Sequence, residues 1–272
     1  MKRYVLIPVT IVVLCVVALT SWISLTHEDN TKIPMRTVTD ATGTEVVIPQ
    51  HPKRVVILNS ANLDMYYAVG GTVVGKPTSS YISKEIREKT KDVPAVGTLH
   101  SPSVEAIIGL HPDLVIGINV PFNTNLRDIL AQADIPLYIN DLDTYDDVVT
   151  TLTFFGELTN QPDVAKATAD KAMANYNKLV DDAKKQKGPR SLIIFGAPGS
   201  FSMATSKAFS GNLLELLGGH NIADMATGLD GDYVPLSMEY VVKTDPEVIF
   251  FISMSPKSDS VNVFKREMLE SS

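Results

Sequence analysis

Ser103-Val104-Glu105-Ala106-Ile107-Ile108 runs into Pro112-Asp113-Leu114-Val115-Ile116. A second copy stands 134 residues later: Ser237-Met238-Glu239-Tyr240-Val241-Val242 runs into Pro246-Glu247-Val248-Ile249-Phe250. In both copies Glu stands two residues after Ser, Pro seven residues after Glu, and an acid directly after Pro. The serine suits the N-cap of a short helix, and a Glu in the first turn meets the positive end of the helix dipole. Proline then closes the connection, and a β-branched apolar run follows as a buried strand. One such unit is common. Two with identical spacing imply an internal repeat.

The flanks repeat as well. Val55-Val56-Ile57-Leu58 after Arg54 is echoed by Ser191-Leu192-Ile193-Ile194-Phe195 after Arg190. The helical stretch 62–69, ending at Gly70-Gly71, is echoed by Leu213 to Gly219. The remaining chain fits around these blocks. Residues 37–49 read as a small hairpin turning at Thr42-Gly43-Thr44. Val73-Val74-Gly75 reads as a strand, 124–133 as a helix, Leu137-Tyr138-Ile139 as a strand and 145–158 as a helix. Pro162 can open a helix that runs from Asp163 to about Lys187, where Gly188-Pro189 stops it. Its apolar stripe is Ala165, Ala169, Ala172, Met173, Tyr176 and Leu179. Strands alternating with helices predict an α/β fold: two lobes with mainly parallel central sheets and flanking helices, joined by one long helix.

The chain has 272 residues and a net charge of −7, which provides no electrostatic footprint for nucleic acid. Its sole cysteine, Cys15, excludes disulfides and cysteine metal sites from the rest of the chain. Met1-Lys2-Arg3 precedes an uncharged apolar run from Tyr4 to Leu25. At about 1.5 Å per helical residue this run reaches about 33 Å, enough to span a bilayer. A signal peptide and a retained anchor both fit, and both place the remaining chain outside the cytoplasm, at the periplasm or the outer face of the membrane. Residues 1–26 are therefore set apart as signal or anchor. Residues 27–144 are the N-terminal lobe, 145–188 the helical linker, and 189–272 a C-terminal lobe that reads as incomplete.

The ordered set of strand, helix, Gly-Gly, Ser-x-Glu helix, Pro-[Asp/Glu] strand and long helix, followed by the same again, resembles the class III periplasmic binding proteins over roughly residues 36–252. The resemblance implies an exported, non-enzymatic binding component of an ABC importer, a monomer serving a permease dimer with its ATPase. The cargo it implies is a ferric siderophore, haem or a cobalamin-like ligand, held between the lobes. It also implies that Glu105 and Glu239, one on each lobe, dock onto permease arginines. No resident cofactor or metal is expected.

In open α/β sheets ligands bind beyond the carboxyl ends of the strands. The loops there carry Asn59, His100, Phe122, Tyr145, Phe201 and Tyr233 as ligand candidates: aromatic faces for a large chelate, polar groups to orient it. His100 resembles positions from which family members reach their ligands. His51, His111 and His220 read as structural.

Gly70-(x4)-Gly75-Lys76 approaches a phosphate-binding loop, but Pro77 stands where Ser or Thr must hold Mg²⁺, so that reading fails. There is no Gly-x-Ser-x-Gly nucleophile elbow. A membrane-anchored ligand sensor or adhesion module, and an exported hydrolase, are the competing readings.

Overall fold

The apolar β-branched runs form strands and the amphipathic runs form helices. The computed structural model describes residues 33–253, apart from 186, 198, 199, 227 and 229, together with residues 266 and 270. Residues 1–32, with Cys15 and the expected signal or anchor, and most of the chain beyond 253 lie outside the described residues.

The first half contains β1 (Met35–Thr39), β2 (Glu45–Pro49), β3 (Val55–Ile57), α1 (Ser60–Ala68), α2 (Lys84–Lys89), β4 (Gly97–Thr98) and β5 (Ser101–Pro102). It continues through α3 (Val104–Gly109), β6 (Leu114–Ile118), α4 (Pro121–Thr124), α5 (Arg127–Ala131), β7 (Leu137–Asn140) and α6 (Tyr145–Leu158). The long α7 (Pro162–Ala183) follows. The second half holds β8 (Arg190–Ala197), β9 (Ser200–Ala204), α8 (Phe209–Leu216), β10 (His220–Asn221), a 3-10 turn (Ile222–Met225), β11 (Tyr233–Pro235), α9 (Met238–Thr244) and β12 (Val248–Ser253).

The first sheet has the order β3-β6-β7, all parallel. Val55, Ile57, Leu114 and Ile116 bury one face against Leu63 and Tyr66 of α1, Leu152 and Phe155 of α6, and Ala165 and Ala169 of α7. Val56, Leu58, Val115, Leu137 and Ile139 bury the other face against Ile107 of α3 and Leu126 and Leu130 near and on α5. The rings of Tyr66 and Phe155 meet edge to face at 5.3 Å. In the second sheet β8 pairs in parallel with β12 and β10, and antiparallel with β9, which pairs antiparallel with β11.

Both halves of the repeat close the same way. Ser103 accepts the Ala106 N–H at 3.2 Å, and Ser237 accepts the Tyr240 N–H at 3.3 Å. Gly70 and Gly218 both adopt φ +81°, a left-handed conformation that favours glycine. Gly71 donates to the Tyr66 carbonyl and Gly219 to the Leu214 carbonyl. A Cβ on Gly71 would stand 2.3 Å from Tyr66 Cδ1, and one on Gly219 would stand 2.4 Å from Leu214 Cδ1, so neither position admits a side chain without rearrangement.

The structure departs from sequence expectation in places. Val73-Val74-Gly75 makes only a bridge from Gly75 to Val56, because Lys76 turns away to Ala95 and Pro77 has no N–H to extend a ladder. The helix expected over 124–133 is two short helices, the first opened by Pro121. Helix α7 ends at Ala183 rather than Lys187. Beyond the helix, Gly188 packs so closely on Gly218 that a Cβ there would stand 1.8 Å from the Gly218 carbonyl oxygen. Along α7, Leu179 is exposed and Val180 is buried in its place. Phe201, expected on a loop, lies in a hairpin of β8 and β9, and the second sheet is accordingly mixed rather than mainly parallel.

Candidate functional site

Four of the predicted ligand residues sit beyond the carboxyl ends of the first sheet. Asn59 follows β3 as the N-cap residue of α1, and His100 lies in the turn between β4 and β5. Phe122 is in α4 after β6, and Tyr145 opens α6 after β7.

His100 and Phe122 meet edge to face, with ring centroids 5.1 Å apart. Both rings are exposed, and Phe122 keeps 48% of its surface open. Asn123 fixes this pair. Its Oδ1 accepts the Ile118 N–H at 3.0 Å, and its Nδ2 donates to the Leu99 carbonyl at 3.4 Å, tying the end of β6 to the His100 turn. Asn59 is 6% exposed, and its Oδ1 has no hydrogen-bond partner. A buried acceptor left open in this way is costly unless something supplies a donor.

Behind these loops lies a buried amide network that sequence reasoning missed. Asn62 Nδ2 donates to Asn140 Oδ1 at 2.7 Å, and Asn140 Nδ2 returns a bond to Asn62 Oδ1 at 2.9 Å and another to Thr151 Oγ1 at 3.1 Å. It joins α1, β7 and α6 under the site. Single Asn residues in a sequence carry no signal of such pairing.

The next part of the rim is acidic. Asn119 donates to Asp141, whose carboxyl is raised above its ordinary value, first by burial and then by the charges of Asp147, Asp232 and Asp40. Asp143 is raised likewise, by burial and by Asp141, Asp232 and Asp147. Asp232 precedes β11 in the second half of the chain, so its charge reaches the loop after β7. Tyr233 follows it, 47% exposed, with its ring 5.1 Å from that of Phe195. Burial and the charges of Asp143 and Asp232 raise its phenol. Tyr145 stacks on Tyr176 of α7 at 4.2 Å.

Two positions differ from expectation. Phe201 is on β9, 6.5 Å from the ring of Phe251, and packs against the core of the second sheet rather than standing on a loop. Tyr233 begins β11 rather than lying in a loop.

Glu105 and Glu239 are exposed in the first turns of α3 and α9. The other histidines have structural settings. His51 Nδ1 contacts the Glu157 carbonyl at 3.1 Å, and the His111 carbonyl accepts from Arg54 Nε at 3.0 Å. Lys76, the lysine of the failed phosphate-loop pattern, donates to the Thr90 carbonyl. Among the described residues no group of three His, Cys, Asp or Glu is placed to hold a metal ion.

Paired aromatics and polar groups at the strand ends of an α/β fold suit the binding of a ligand. The chain belongs to the periplasmic binding protein family, whose model matches residues 55–271. It is 27% identical over 259 residues to the high-affinity heme uptake system protein IsdE of Staphylococcus aureus strain MRSA252, covering 95% of this chain and 80% of that protein. The structure of S. aureus IsdE complexed with heme superposes with a TM-score of 0.69 over 79% of this chain and 81% of that one, at 27% identity. An ABC transporter substrate-binding protein of Listeria monocytogenes EGD-e has a TM-score of 0.70 at 24% identity, covering 80% of this chain and 81% of that one. S. aureus SirA complexed with staphyloferrin B has 0.69 at 23%, covering 87% and 83%. The last two share the fold. By family the chain is a substrate-binding protein of a transport system and not an enzyme.

Proposed function

We propose that this chain is the extracytoplasmic binding component of an ABC importer and that its cargo is an iron chelate, with haem the first candidate. The observation that carries this reading is the 27% identity to a heme uptake protein along 95% of the chain. The site is chemically suited to the cargo. Phe122 and His100 offer an exposed aromatic corner, and Tyr233 with Phe195 offers another on the second sheet. Both match the planar, apolar body of a porphyrin. His100 brings an imidazole, a ligand that haem iron accepts. Asn59 and Tyr145 provide polar groups to orient the cargo.

In this reading the chain is exported by its N-terminal segment and acts as a monomer. The loaded protein docks onto a permease dimer, driven by its ATPase, through Glu105 and Glu239. These carboxylates occupy equivalent positions of the repeat and are free to meet basic pockets.

A thermal-shift panel on the purified full chain tests the cargo. Haem, ferric siderophores, cobalamin and bare iron are added separately. A ligand at 100 times its dissociation constant stabilises by about 2.7 kcal/mol, a visible rise in melting temperature. A rise with haem or a ferric chelate and none with bare iron is expected. A cooperative melt that no chelate moves would remove the proposal and favour a sensor.

A further inference from the structure

Asn62, Asn140 and Thr151 place three polar side chains where folding alone needs none. All three are buried, and so are their apolar sequence neighbours Leu63, Ile139 and Leu152. Leucine matches the outline of asparagine and valine that of threonine, so an apolar set would fill the same space. Asparagine is also a poor helix former, and a buried amide is costly unless its bonds are made.

Here the bonds are made, and each leads to an element that enters the site. Asn62 Nδ2 donates twice, to Asn140 Oδ1 at 2.7 Å and to the Gly117 carbonyl at 3.3 Å. Asn140 Nδ2 also donates twice, to Asn62 Oδ1 at 2.9 Å and to Thr151 Oγ1 at 3.1 Å. Gly117 and Asn140 lie at the last rungs of the β6–β7 ladder, where Ile118 stands opposite Asn140. The chain leaves these strands at Asn119 and Asp141, and the Asn119 N–H donates to the Asn140 carbonyl at 3.0 Å. Asn62 stands three residues after Asn59, the N-cap residue of α1. Thr151 is on α6, which opens at Tyr145. Apolar contact is non-directional and lets strand ends slide, whereas a satisfied buried network fixes one arrangement.

We infer that Asn62, Asn140 and Thr151 are positioning residues for the cargo. They hold the carboxyl ends of β6 and β7 and the start of α1 in the arrangement that the cargo meets, so little ordering is left for binding to impose. The inference rests on the reading that the cargo sits at these strand ends.

The test uses the purified full chain, with haem as the probe and the Soret band as the signal, far below the melting temperature. Replacing both amides by apolar groups of the same shape, Asn62→Leu with Asn140→Leu, should leave the melting temperature nearly unchanged. Haem affinity should fall about tenfold, through lost preorganisation. Amide hydrogen exchange in the free protein should quicken at residues 119–120 and 141–145. Unchanged affinity and unchanged exchange would overturn the inference. If the double variant does not fold, Thr151→Val and Thr151→Ser replace it. Thr151→Val removes the acceptor of Asn140 and should bind haem several-fold more weakly, while Thr151→Ser keeps the oxygen and the affinity. Equal affinities of the two would overturn the inference. His100→Ala runs alongside. A loss of affinity there and none in the network variants would overturn this inference and leave the cargo reading standing. No haem binding by the unaltered chain would remove the haem reading, and this inference with it.

Discussion

The carboxylate of Asp113 accepts the backbone N–H of Arg54 at 2.9 Å. It also accepts the Lys53 N–H at 2.7 Å, while the Arg54 side chain reaches back to the carbonyls of His111 and Leu110 at 3.0 and 2.6 Å. Glu247 repeats this toward Arg190 at 2.7 Å, and Arg190 donates to the carbonyls of Thr244 and Asp245 at 3.0 and 2.7 Å. The turn between helix and strand is left-handed in both, at His111 (φ 45°) and Asp245 (φ 48°). The acid after proline is thus a clasp joining the foot of each strand to its neighbour. Hydrogen bonds to a charged group contribute about 1.5–3 kcal/mol. Asp113→Ala should lower the unfolding free energy by about 2 kcal/mol in urea titration, and Asp113→Asn by about half as much, since one acceptor remains.

Asp40 links the first hairpin to α5. Its side chain is fully buried and lies 2.5 Å from Arg127 Nη2. Burial raises its carboxyl, but hydrogen bonds from Thr42, Arg127 and the Thr44 N–H together outweigh burial and hold it below the ordinary carboxylate value. A carboxyl depressed on folding contributes stability that is present above its unfolded value, about 3.9, and is lost as pH falls through the folded value. Asp40→Asn should cost about 3 kcal/mol at neutral pH, the scale for breaking a buried pair, and should flatten the acid limb of stability below about pH 4. Melts from pH 7 down to pH 3 check both.

Asp143 has the opposite sign. Burial and the neighbouring Asp141, Asp232 and Asp147 raise its carboxyl, so its ionised form is disfavoured in the folded protein. That penalty is full above the raised value, shrinks as pH falls through it, and is gone below the unfolded value. Asp143→Asn should therefore stabilise slightly at pH 7 and leave the melt unchanged near pH 3. By removing a negative charge from the rim, it should also tighten an anionic chelate such as haem about twofold, from roughly 0.5 kcal/mol of partly screened repulsion. A chelate titration at pH 7 reads this directly.

Glu105 and Glu239 should act after binding. Charge reversal of both, Glu105→Lys with Glu239→Lys, is expected to abolish chelate uptake by cells while leaving the dissociation constant unchanged. An affinity loss in the double variant would assign the carboxylates to the binding site instead.

The α/β architecture was legible in the sequence because Ser103, Glu105, Pro112 and their copies mark caps, dipoles and strand starts, which are local signals. The long helix from Pro162 was legible for the same reason. Phe201 was misplaced because Gly196, Pro198, Gly199 and Ser200 read as a loop, whereas the chain reverses tightly there and β9 pairs back on β8, with Phe201 opposite Gly196. The helix break between α4 and α5 depends on Asn123, whose amide reaches both Ile118 and Leu99, contacts that no spacing reveals. His100 and Phe122 were each plausible as loop residues, but only the fold brings their rings together. Asn62 and Asn140 lie 78 residues apart and meet only in the tertiary structure.

The most direct test of the whole account is a haem titration of the purified protein followed by the Soret absorbance, run beside His100→Ala. Saturation at one haem per chain, with weaker binding and an altered spectrum in His100→Ala at unchanged melting temperature, is the predicted result. No saturable binding of haem, or of ferric siderophores in the same assay, would contradict it.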